Sequence, residues 1–248
     1  MTDQQAIDFR IDDLRPAERE MLENLNLLDL SQDSFHLLVE HHTPDQRHSY
    51  WIVYDRAAGY GHPGDARYLA IHISRDAHRR LFRCGYSYEP TVPFAQRWLI
   101  ERGCPAAHTA LRQASPSPSP ADATTRTLEE RLRLSGSRYQ LLGSYFHEPI
   151  GPKDSISVRV LVYDQHPDSA HQPYRIFLET VDMASDSYQV REGAFATIAD
   201  STTWLTSWFD NPALPLPPPA PYGPPNPAPV TRPMGATPPT TPPRGHRR

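Results

Sequence analysis

Hydrophobic and polar positions along the chain follow one series of periods, and the series occurs twice. Over 12–28, DDLRPAEREMLENLNLL sets Leu14, Ala17, Met21, Leu25 and Leu28 at helical spacing, which predicts an amphipathic helix with Pro16 in its first turn. Clusters of β-branched and aromatic residues between turn residues then predict strands over 35–42, 50–56, 67–74 and 82–88, closed by a helix over 93–102. The series restarts at Thr127, where TLEE has the form of a capping box. Strands are predicted over 139–146, 157–163, 174–181 and 187–191, and a closing helix over 198–209. Trp98 with Leu99, and Trp204 with Leu205 and Trp208, are the expected core-facing anchors of the closing helices.

The repetition extends to residue identity. LSQDSFHLL at 30–38 shares the frame L-S-x-x-x-aromatic-x-L-L with LSGSRYQLL at 134–142. WIVYD at 51–55 corresponds to VLVYD at 160–164, and YLAIHI at 68–73 to YRIFLE at 174–179. The order of these features is kept while the loops between them change length, as expected when elements pack and loops do not. The fold class expected is α+β: an internally duplicated unit of helix, antiparallel meander of three to four strands, and helix. The recurring frame is then the entry into the first strand of each copy, its aromatic residue and two leucines starting the buried side.

Composition sets the boundaries. With 248 residues and 38% hydrophobic residues the chain can form two small cores. The run ASPSPSPA at 114–121 reads as a linker, so the expected division is a first copy over 1–113, a Ser/Pro linker over 114–126, a second copy over 127–211 and a Pro-rich tail over 212–248. The tail has so few packable side chains that it is expected to be disordered, with polyproline II character, and its deletion after Pro212 to leave the melting temperature nearly unchanged. Its P-x-x-P spacings are also suited to aromatic grooves. The acidic, polar start and the absence of a long apolar run point to a cytoplasmic protein without a membrane segment. Cys84 and Cys104 read as free thiols. Lys153 is the lone lysine among 25 basic residues, a bias that suggests a high-GC bacterial genome.

Candidate chemistry is sparse. In FHLLVEHH a period of two would place His36, Leu38, Glu40 and His42 on one strand face, with His72 on a neighbouring strand, a set able to bind zinc or exchange protons. A solvated polar face accounts for the same pattern, and Gln140, Leu142 and Ser144 do not keep the ligand types in the second copy. GYGHPG at 59–64 satisfies G-x-G-x-x-G but leads into a strand, so it reads as a hairpin loop. Arg79, Arg80 and Arg83, with Arg75 and His78, form a basic turn near Phe82 and Tyr86 that could hold a nucleic acid. The net charge of −4 argues against that use. No nucleophile motif occurs, and Cys104 reads as following a helix stopped by Gly103 and Pro105.

The expectation is therefore a non-enzymatic protein-binding or adaptor module, chaperone-like or immunity-like by fold analogy alone, with no catalytic, cofactor-binding or metal residue assigned. Its partner would be another protein, and free sheet edges would allow a homo-oligomer. The alternatives are a metal-binding protein or hydrolase using the first-copy histidines, and a nucleic-acid accessory protein.

Overall fold

The computed structural model describes residues 6–58, 64–112, 118–147 and 156–220. It is a mixed α+β structure of two five-stranded sheets and four helices. The first sheet contains β1 (Arg15–Pro16), β2 (Phe35–His42), β3 (His48–Asp55), β4 (Tyr68–Asp76) and β5 (Leu81–Glu89), in the order β1-β5-β4-β3-β2. Helix α1 (Arg19–Leu30) precedes β2, and α2 (Val92–Glu101) follows β5. The second sheet contains β6 (Ser119–Pro120), β7 (Tyr139–His147), β8 (Ile156–Asp164), β9 (Tyr174–Asp182) and β10 (Ser187–Phe195), in the order β6-β10-β9-β8-β7. Helices α3 (Ala123–Arg133) and α4 (Ile198–Asp210) stand before and after its meander.

Each meander is antiparallel, and each sheet gains a short parallel edge strand: β1 on β5, and β6 on β10. Those two-residue strands lie beneath what periodicity reads as other things. Pro16 belongs to β1, and the predicted helix starts only at Arg19, because pairing of Arg15 and Pro16 with Leu81 and Phe82 draws the chain out straight. In the second sheet the Ser/Pro run ends in β6, while 114–117 of it lies outside the described residues. The predicted capping box is also displaced. Asp122 is the N-cap and accepts from Thr125 N–H at 2.7 Å, while Thr127 sits inside the helix and donates to Ala123 O. The second sheet therefore draws its first strand from Ser119–Pro120, within the stretch read as a linker.

The shared frame has one local structure at both sites. A short 3₁₀ turn (Gln32–Ser34, Gly136–Arg138) delivers a buried aromatic residue, Phe35 or Tyr139, to the head of an edge strand. The second leucine then forms a β-bulge: the pairing passes from Leu37↔Val53 to Val39↔Ile52, and from Leu141↔Val162 to Gly143↔Leu161. Leu38 and Leu142 are the extra residues. Opposite each aromatic stands the aspartate of the second motif, Asp55 or Asp164, both buried. Asp55 accepts from Ser34 Oγ (2.6 Å), Tyr88 Oη (2.8 Å) and Ala57 N–H (2.9 Å). Asp164 accepts a bidentate pair from Arg138 (2.8 and 2.7 Å), with Ser169 Oγ and His166 N–H. Burial alone would raise the Asp164 carboxyl, but these donors hold it below the usual carboxylate value.

Both faces of both sheets are covered. α1 lays Leu25 and Leu28 on the side of Trp51, Val53, Ile71 and Ile73, and α2 lays Ala95, Trp98 and Leu99 on the side of Tyr50, Ile52 and Ala70. In the second sheet Leu132 of α3 meets Val158, Val160, Val162 and Phe177, while Trp204 and Trp208 of α4 meet Leu161 and Ile176. Leu205 packs beside them, half-buried. The predicted anchors thus all face cores. α2 serves a second core as well: Phe94 is buried among the residues of the second sheet, 6.5 Å from Phe177, and Arg97 donates to Tyr139 O at 2.8 Å. A helix with apolar residues at 94, 95, 98 and 99 presents two adjoining apolar sides, so one helix holds both sheets.

The start of the expected tail is packed. Leu214 and Leu216 lie against the Trp204 and Trp208 core, Trp204 Nε1 donates to Pro215 O at 3.0 Å, and Ala194 N–H donates to Pro217 O at 3.0 Å. The approach is so close that a β-carbon on Gly193 would stand 1.8 Å from Leu216 Cδ2, so that any side chain there would require Leu216 to shift. Composition missed this because two leucines among prolines suffice when the carbonyls between them find donors. Residues 221–248 lie outside the described residues.

Candidate functional site

The bulge at Leu38 reverses the inside-outside phase of β2 and so takes apart the predicted histidine set. His36 pairs with Tyr54, but Glu40 pairs with Trp51 and His42 with Ser49, on the other face of the sheet. His72 pairs with Tyr50 and so shares a side with His36 only, four residues apart along β3. Glu40 accepts from Trp51 Nε1 (3.4 Å), contacts His42 Nε2 (3.2 Å) and pairs with Arg112 (3.6 Å). It acts as a clamp between strand and loop.

The phase reversal builds a different arrangement. His41, not His42, now faces Tyr50, and five rings stack in a row: His108, His41, Tyr50, His72 and His48. His108 lies on His41 at 4.1 Å between centroids, Tyr50 on His72 at 4.7 Å, and His48 Nδ1 is 3.1 Å from His72 Nε2. In that contact one ring donates and the other accepts, so the pair cannot hold both protons. Desolvation, then the neighbouring His48, Arg102 and Arg75, pull His72 down to about 4. His41 is lowered by burial and by His108 and His42. Among the described residues no three His, Cys, Asp or Glu side chains converge in a way that could hold a metal ion. The sequence carried a signal for this row, since His41, His48, His72 and His108 are all visible in it. Stacking across four segments was not.

A lowered histidine pKa has a signed consequence. Its stabilising contribution is complete above the unfolded value of about 6.5 and is lost as pH falls towards the folded value of about 4. The limit is about 3 kcal/mol, reduced to the order of 2 kcal/mol by solvent at a half-buried ring. Urea titrations at pH 7 and pH 4.5 are expected to show a larger loss of stability for the natural chain than for His72→Gln. Equal losses would mean that the row does not exclude a proton.

Two arginines of the basic turn are spent on structure. Arg75 reaches inward to Phe9 O (2.7 Å), Arg10 O and Ser49 Oγ, and Arg80 donates to Asp13 O, so both tie down the segment before α1. Arg79 lies 3.7 Å from Asp76, and Arg83 is exposed. Arg79, Arg80 and Arg83 are all exposed at the β4–β5 hairpin, while Arg75 beside them is turned inward. Positions 59–63 of the glycine run lie outside the described residues, and Tyr68 beyond them opens a strand. Cys84 and Cys104 are buried free thiols, pushed up to about 11 and about 12 by burial, which opposes thiolate chemistry. Gly103 (φ +93°) ends α2 as expected, with Gly103 N–H on Ile100 O and Cys104 N–H on Leu99 O.

The clearest difference between the two sheets lies at their meander edges. After α2 the chain passes Cys104, buried in the same core as Leu38, and returns along β2, where Arg112 N–H donates to Leu38 O at 2.9 Å. Leu38 is 3% exposed. After α4 the chain turns instead towards β10, and Leu142, the counterpart of Leu38, is 40% exposed. Leu141 beside it and Tyr163 opposite Gln140 are exposed too, and among the described residues, its chain neighbours apart, no atom lies within 4 Å of where a β-carbon on Gly143 would be. The strand is closed at each end: Tyr139 O accepts from Arg97, and Phe146 N–H donates to Gly64 O at 2.9 Å. Between these points 140–144 form an uncharged edge with two exposed leucines at its centre. Sequence reasoning missed it because LSQDSFHLL and LSGSRYQLL share their leucines, and only the path of the following chain decides which pair is covered.

No family model matches the chain, and no curated protein or solved structure matches it either. Among the described residues no helix is long and apolar enough to cross a membrane.

Proposed function

We propose that the chain is a non-enzymatic protein-binding or adaptor module built from two copies of one folding unit. Duplication is supported by the identical strand order, the parallel edge strand in each half, and the bulge and buried aspartate at matching places. The second copy holds the docking surface. The observation that carries this reading is the contrast between Leu38, covered by its own chain, and Leu142, bare at the middle of β7.

An edge strand with exposed leucines and no Lys, Pro or carboxylate along it lacks the usual protection against pairing, and a short extended segment of another protein fits such an edge. The closed ends at Tyr139 and Phe146 limit that segment to about five residues, which favours a peptide stretch over a long sheet-to-sheet seam. The test is quantitative capture of partners by the chain ending at Ala220, beside its Leu142→Asp form and a Leu22→Asp control on the exposed side of α1. A partner retained by the first and the control, and reduced at least about tenfold by Leu142→Asp, is the expected result, since a charge in an apolar contact costs more than 1.4 kcal/mol. Equal retention by all three would sink the assignment of the surface.

A further inference from the structure

The second sheet holds a network of charge under α3. Asp164 takes Arg138 in a bidentate pair (2.8 and 2.7 Å) and stands 3.8 Å from Arg175 Nε. Glu192 pairs with Arg131 and stands 3.8 Å from Arg175 Nη1, too far to close a hydrogen bond there. Three guanidiniums thus share two carboxylates. Donors are also left over. The Arg175 side chain is 3% exposed, yet among the described residues its Nε and Nη1 find no acceptor. Tyr139 is 2% exposed, lies with its ring 4.9 Å from the Arg138 guanidinium, and its hydroxyl finds no partner either. The network meets solvent in an open groove along α3, lined by Arg126, Arg131 and Arg138 together with Glu130 and Leu134. Arg126 is exposed and donates to Pro120 O at 3.3 Å, Glu130 is held by Arg133, and Leu134 is more than half exposed.

We propose that this groove binds the phosphate group of a phosphorylated side chain in a partner protein, with an apolar neighbour of that side chain resting on Leu134. The site lies apart from the 140–144 edge, and neither assignment needs the other.

The folding unit does not need this charge. At the matching place in the first copy Asp55 takes its hydrogen bonds from Ser34, Tyr88 and Ala57, all neutral donors. Ser34 there stands where Arg138 stands in the second frame. The arginines are therefore particular to the second copy, and they leave it with one positive charge unmatched inside the network and a further one on Arg126 at the rim. A phosphate monoester carries about −1.5 to −2 charge and three strong acceptor oxygens, which matches both the charge and the excess of donors. A carboxylate brings one charge and two oxygens and matches half of it. Guanidinium forks suit phosphate oxygens in particular, through charge-assisted bonds of fixed geometry. Leu134 decides between a free anion and a side chain of a protein: inorganic phosphate makes no use of an exposed leucine in its groove, whereas a peptide gains by burying it.

The experiment titrates the full chain, at low salt, against a labelled peptide with one phosphoserine flanked by leucines, the same peptide without phosphate, free phosphoserine and inorganic phosphate. The phosphopeptide is expected to bind at least about tenfold more tightly than the unphosphorylated peptide and than inorganic phosphate. Added salt is expected to weaken it, as for any contact made by exposed charges. Arg126→Gln is expected to weaken the phosphopeptide about tenfold, while Glu130→Gln, which removes a like charge from the groove, strengthens it. Leu134→Ala is expected to weaken the phosphopeptide and leave free phosphoserine unchanged. All three positions are exposed, so the variants keep the fold, and thermal melts check that they do. A merely structural role for the arginines predicts no gain from Glu130→Gln. Absence of phosphopeptide binding, binding that neither Arg126→Gln nor Glu130→Gln moves, or inorganic phosphate bound as tightly as the peptide would each overturn the proposal. None of these readings involves β7, so they stand or fall apart from the capture experiment.

Discussion

Asp164→Ala is expected to destabilise the protein by about 3–5 kcal/mol, the usual cost of leaving a buried charge without its partner. For a chain of this size that lowers the melting temperature by roughly 10 °C. The Asp164 carboxylate is fully enclosed, and it balances Arg138 and Arg175 together. Arg175 is 3% exposed in its side chain, and its other carboxylate, on Glu192, is 3.8 Å away. Removal of Asp164 thus leaves a buried guanidinium with one distant counter-charge. Asp164→Asn keeps an acceptor and is expected to fall between. The matched change Asp55→Ala removes hydrogen bonds from the neutral donors Ser34, Tyr88 and Ala57 and is expected to cost only about 1–3 kcal/mol. Urea denaturation of the three variants checks the order, and an Asp164→Ala loss no larger than that of Asp55→Ala would rule out the charge argument.

Two truncations separate the packed part of the C-terminal segment from the rest. A chain ending at Pro212 loses Leu214 and Leu216 from the α4 core and leaves Trp204 Nε1 and Ala194 N–H without their carbonyls. Two partly buried leucines and two hydrogen bonds together are worth about 4 kcal/mol. A chain ending at Ala220 keeps all of these and is expected to lose less than about 1 kcal/mol. Thermal melts of both chains against the full chain provide the measurement. If the chain ending at Pro212 melts with the full chain, the packing of 213–220 does not contribute, and the simple expectation from composition returns.

The sequence alone determined the order and kind of the four helices and the eight long strands, because β-branched alternation, Trp-bearing helices and turn residues are local signals that burial reinforces. Strand 35–42 was legible to the residue, and the recurring aromatic and aspartate identified the places where each meander is pinned. What the sequence could not decide was anything set by contact between distant segments. The bulge at Leu38 reversed the phase of β2 and exchanged His42 for His41, since an extra residue is fixed by the pairing of Val39 with Ile52 and leaves no mark on the pattern of the strand itself. The strand character of Arg15–Pro16, the N-cap at Asp122, the second core served by Phe94 and the docking of Leu216 are likewise decided across the fold. Two frames with the same leucines end as a covered edge and a bare one, because burial belongs to whichever segment comes to lie on them.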